Sequence, residues 1–121
     1  MSQSTVIRAA TLDRFVDAVD GVEGVHLRQL PPLTTLLVHT RNSQYRLVVT
    51  QGTAIFVQGG AFFPDPTPAH LDGASIGGSC LKVGWIGVGL LMEIRAGGRR
   101  IITSPVRAIY TEPPARASRV H

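Results

Sequence analysis

The chain has one cysteine, one tryptophan, one lysine and no long apolar run. Each shortage closes a class of explanation. A single thiol, Cys80, cannot form an internal disulfide, and no paired CxxC spacing exists, so a cysteine-rich structural zinc is excluded. The longest nearly uncharged apolar stretch runs from Val83 to Met92, between Lys82 and Glu93. It is about half of the roughly 20 residues that a membrane helix needs. The first ten residues, MSQSTVIRAA, contain Arg8 and too short an apolar run for the core of a secretion signal. These features point to a reducing cytoplasm and to no membrane partner. Charged residues are also scarce at 17%, but hydrophobic residues reach 44%, the profile of a folded chain and not of a disordered one. At 121 residues the expectation is one domain, residues 1–111, that buries about two thirds of its unfolded surface.

The net charge of +4 is unevenly placed. Residues 1–24 sum to −2 through Asp13, Asp17, Asp20 and Glu23, whereas residues 25–111 sum to +5. Eleven of the twelve cations are arginine. Arginine suits bidentate contacts to phosphate or carboxylate, although codon usage in a genome rich in G and C would produce the same bias.

The residues that are present fall into two periods. In TLDRFVDAVD (11–20), Leu12, Phe15, Val16 and Val19 fall on one helical face; Thr11 can cap the start and Gly21 the end. A helix this short is marginal alone, so its apolar stripe must dock on something. Residues 22–32 are ambiguous, with a short strand ending at Pro31 and Pro32 as one reading. From residue 33 the pattern turns to β. LTTLLVHT (33–40), YRLVVT (45–50) and TAIFVQ (53–58) are rich in β-branched and aromatic residues and are separated by turn-forming RNSQ and QG. They read as consecutive antiparallel strands.

The next stretch, GGAFFPDPTPAHLDGAS, carries prolines at 64, 66 and 68. Alternating prolines read as a stiff loop or crossing connection, because proline cannot donate to a central ladder. Phe62 and Phe63 lead into it, either as a recognition surface or with one ring plugging the fold.

Residues 77–89, GGSCLKVGWIGVG, resemble neither phosphate-binding pattern in detail. A P-loop requires lysine where Ser79 stands, and Gly84, Gly87 and Gly89 run in the reverse of the dinucleotide order. Strict alternation of Ile86, Val88, Leu90, Met92 and Ile94 instead predicts one long strand over 83–95, with glycines on its other face permitting a sharp bend. Gly97 and Gly98 then make a tight hairpin, and the chain returns through Ile101–Thr103. Beyond Pro105, residues 106–110 read as an edge strand or one that switches partners past a bulge. Residues 112–121 read as a flexible tail.

The fold expected is therefore mainly β: a small, strongly bent antiparallel barrel or sandwich of six to seven strands with one short N-terminal helix. For function, the leading reading is a non-catalytic interaction module that binds a protein partner or a second copy of itself. The alternative is nucleic acid or another polyanion held on a barrel rim, with Arg41, Arg95, Arg99, Arg100 and Arg107 on phosphates and Phe62, Phe63 or Trp85 stacking on bases. A third reading is a small enzyme using Cys80 as nucleophile and His70 as base, or Asp65 with Asp72 as acid and base. His26, His39, His70 and His121 lack the spacing of metal ligands. No cofactor is implied.

Overall fold

The computed structural model describes residues 23–77 and 81–112. The helix expected over 11–20, the tail beyond Glu112, Cys80 and His121 lie outside the described residues. The elements in chain order are β1 (Gly24–His26), one 3-10 turn (Leu27–Gln29), β2 (Thr35–Thr40), β3 (Gln44–Gln51), β4 (Ala54–Gly59) and β5 (Phe63–Ser75). They continue with β6 (Leu81–Val83), β7 (Trp85–Gly87), β8 (Leu91–Ala96), β9 (Arg99–Ile102) and β10 (Val106–Glu112). The protein is mainly β, as its residue pattern predicts, and every ladder is antiparallel. No helix among the described residues is long and apolar enough to cross a membrane.

Eight strands form one sheet in the order β9-β8-β5-β4-β3-β2-β10, with β6 also paired to β5, and β1 pairs with β7 in a separate ribbon. The barrel expected from the sequence is not closed. Among the described residues β9 and β10 end the sheet without a ladder between them. Isolated bonds instead tie the start of β10 to the turn before β8: Val106 N–H donates to Leu90 O (2.9 Å) and Gly89 N–H to Val106 O (2.8 Å). A strand that starts at a proline has a fixed φ and one donor fewer, and β10 begins directly after Pro105 with a register shift between Val106 and Ala108.

β2, β3 and β4 form because their apolar residues alternate. Leu36, Val38, Leu47, Val49, Ile55 and Val57 all face the core, and a period of two places such residues on one side of a pleated strand. The β1–β7 ribbon adds Ile86 and the 3-10 turn after β1 adds Leu27, both fully buried, to the same cluster. That ribbon and turn therefore cover part of the sheet's inner face.

Two expectations are corrected. The proline-rich stretch is not a loop but β5, thirteen residues long and inside the sheet. Direction explains how it pairs. Leu71 N–H donates to Thr53 O (3.0 Å), so odd-numbered amides of β5 face β4 and even-numbered positions face the other way. Pro68, opposite Phe56, would thus have pointed its missing N–H away from β4. On that side β8 pairs with β5 only from His70 onward, leaving no ladder for Pro68 to break. Pro64 and Pro66 fall in a register shift, where residues 64–66 stand against Gln58 alone.

The single strand expected over 83–95 is also divided, into β6, β7 and β8. Gly84 (φ 69°) and Gly89 (φ 88°) interrupt it, since positive φ takes the backbone out of the extended region. Gly84 N–H donates to Asp72 O (3.0 Å), and its carbonyl accepts Leu27 N–H (2.8 Å). Among the described residues, no helix follows this stretch. The hairpin at Gly97 (φ 56°) and Gly98 (φ 80°) forms as expected, with Arg99 opposite Ala96.

Candidate functional site

The outer face of the sheet carries the residues left over once the core is filled. In β4, Ile55 and Val57 point inward, so Phe56 must point outward, where it is 42% exposed. Pro68 stands opposite it. One step along, the ladders place four residues in a row across neighbouring strands: Arg100 faces Arg95, Arg95 faces His70, and His70 faces Ala54. Between these rows lies a groove of about 500 Å³, lined by Thr50, Ala54, Phe56, Pro68, His70 and Arg95 and ending at the Gly97–Gly98 turn.

Arg95 is ion-paired on this face. Its Nη2 and Nε donate to the two carboxylate oxygens of Asp72 at 3.0 and 3.3 Å. The hydrogen bond and charge of Asp72 hold the Arg95 pKa above its ordinary value. Such a two-point contact presets the guanidinium plane and occupies much of its charge. Arg100 is engaged similarly: Nη2 lies 3.0 Å from Glu93 Oε1, and Nε donates to the same oxygen at 3.1 Å. Glu93 is only 4% exposed, and Arg100 covers the charge that β8 carries into a nearly closed position.

The five arginines expected on one rim divide into two groups. Arg95, Arg99 and Arg100 surround the Gly97–Gly98 turn. Arg41 N–H instead donates to Pro105 O (2.9 Å), which places Arg41 beside the start of β10 and near Arg107. Six positions separate Arg99 from Pro105, up to about 20 Å along an extended chain. One group adjoins the turn between β8 and β9, and the other adjoins the start of β10.

The aromatic candidates divide as well. Phe63 is in the core, 3% exposed, so it plugs the fold and is not available for stacking. Phe62 is exposed, and the Arg99 guanidinium carbon lies 5.3 Å from its ring centre. Trp85 belongs to the ribbon, where Lys82 Nζ lies 3.9 Å from its ring centre.

Of the residues weighed for catalysis, His70 is exposed on the groove. Asp65 and Asp72 are not brought together. They stand seven positions apart on β5, roughly 20 Å at strand rise, and Asp72 is held by Arg95. His26 Nδ1 accepts Arg28 N–H (3.3 Å) and caps the 3-10 turn. His39 packs edge-to-face on Tyr110 at 5.2 Å, and burial lowers its pKa below 6.5. No cluster of three potential metal ligands occurs among the described residues.

Sequence reasoning had not singled out Phe56, Pro68 or Thr50. For Phe56 the signal was present, because an aromatic residue between two inward-facing β-branched ones has to face out. Comparison with protein-family models, curated proteins and solved structures gives no match, so the site is read from its own chemistry.

Proposed function

We propose that this protein is a non-catalytic interaction module that binds another protein chain through the outer-face groove around Phe56. The observation that carries this reading is the exposure of Phe56 on a central strand beside Pro68, in a groove whose polar margin is His70 and the ion-paired Arg95. An exposed aromatic ring in a preformed concavity is the usual composition of an interface hot spot. Burying the 42% of that side chain still exposed is worth about 1 kcal/mol. Its neighbours are strand residues and a preset ion pair, so little ordering entropy opposes docking.

The test is photocrosslinking of the intact chain in cells that naturally make it. Benzoylphenylalanine in place of Phe56 is expected to yield protein–protein adducts, including adducts between two copies if the module self-associates. The same probe in place of Glu112, exposed on β10, is expected to yield none above background. Equal adducts from both positions, or none from position 56, would remove the groove as a protein site.

A polyanion reading keeps one favourable observation, the stacking of Arg99 on exposed Phe62. It is weakened by the ion pairs that occupy Arg95 and Arg100. Retention on heparin that falls steeply with salt, and more gently after Arg99→Ala, would favour it over a protein partner.

A further inference from the structure

A second concavity, independent of the outer-face groove, lies where β5, β6 and the turn before β8 meet. Its volume is about 370 Å³, and its lining includes Ala74, Ile76, Leu81, Lys82 and Leu90. It is bordered by large apolar side chains left in water: Ile76 is 75% exposed and Leu81 40%. Val88, two residues before Leu90, is 40% exposed. So much apolar surface at one corner calls for a cover.

The described chain begins beside this corner. Val88 N–H donates to Glu23 O (2.7 Å), and Gly24 pairs with Gly87. The described chain therefore begins next to Val88. Only residues 21 and 22 separate that anchor from the TLDRFVDAVD pattern, a tether of about 7 Å at full extension. The pattern has an apolar stripe of Leu12, Phe15, Val16 and Val19, and the segment carries Asp13, Asp17 and Asp20. The body it meets is basic, with Lys82 lining the concavity. A tether this short makes docking intramolecular, with a high effective concentration for a weak apolar contact.

We propose that the concavity between Ile76, Leu81 and Leu90 is the docking site for this chain's own residues 11–20, whose apolar stripe covers it while their aspartates lie toward Lys82. The occupant is identified by reach, by apolar periodicity and by charge sign. The inference does not depend on what binds the outer-face groove.

The test uses isotope-labelled full-length protein. Nuclear Overhauser contacts are expected between the Phe15 ring or the Val16 and Val19 methyls and the methyls of Ile76, Leu81 or Leu90. Leu81→Asp is expected to speed amide exchange over residues 12–19 at least ten-fold while β3 and β4 keep their protection. If Leu81→Asp does not fold, Phe15→Ala gives the same readout from the segment's side. Contacts from Phe15 to Phe56 and Pro68 instead, contacts only between differently labelled copies, or no contacts in a folded chain would each overturn the proposal. So would unchanged exchange over 12–19 in the folded variants.

Discussion

The Lys82 ammonium lies 3.9 Å from the centre of the Trp85 ring, while the ring's other surroundings include Gly24 and Gly87, themselves paired across the β1–β7 ribbon. A methyl group on either glycine would overlap the indole. The glycine-rich stretch thus serves close approach of an aromatic ring to backbone, with a cation on that ring. Gly24→Ala should displace the ring and destabilise the fold by about 1 to 3 kcal/mol, the cost of overpacking. Lys82→Ala should cost less, about 0.5 to 1 kcal/mol. Urea unfolding followed by the emission of Trp85, the chain's one tryptophan, measures both.

His39 predicts a pH dependence. Burial lowers its pKa in the folded state below the unfolded value of 6.5, so the unfolded chain binds the proton more readily. Its contribution to stability is complete above pH 6.5 and is lost as pH falls through 6.5 toward the lower folded pKa. His39→Gln should flatten the fall in melting temperature between pH 7.5 and 5. An unchanged slope would show that the imidazole is as easily protonated in the fold as outside it.

Leu33 has a φ of 70°, a region that costs an L-residue with a branched side chain about 1 to 2 kcal/mol. It is 62% exposed, so its side chain recovers little by burial. The backbone holds it there, since Leu33 N–H donates to Val49 O (2.7 Å). Leu33→Asn keeps that bond and suits the conformation, and should raise stability by about 0.5 to 1 kcal/mol. Thermal unfolding with a melting temperature below that of the parent would contradict this.

Much of the fold is legible where each strand carries its own signal. The alternation in β2, β3 and β4 and the paired glycines at 97 and 98 need no distant partner to be read. The division of 83–95 was hidden because the apolar alternation from Ile86 to Ile94 continues across Gly89, where the backbone turns. Likewise, nothing local in the sequence marks which of the arginines are paired. The partners that occupy Arg95 and Arg100 become visible only when the register brings Asp72 and Glu93 beside them, and the Asp72–Arg95 contact spans 23 positions. The groove at Phe56 is similarly the product of three ladders, although the outward direction of Phe56 follows from β4 alone.

The prolines of β5 yield the sharpest check on the register. Proline was read as incompatible with an interior strand, a rule that counts lost donors without asking which neighbour each donor would have faced. Pro68 faces the side that β8 does not reach, whereas the next amide, Ala69, faces β4 opposite Ile55. Pro68→Ala should therefore cost less than about 1 kcal/mol, mainly through a more flexible unfolded chain. Ala69→Pro, one position away and 7% exposed, should remove a ladder bond, leave an acceptor unpaired and cost about 2 kcal/mol or more. Urea unfolding of the two variants decides the matter, because a one-residue error in register would exchange their effects.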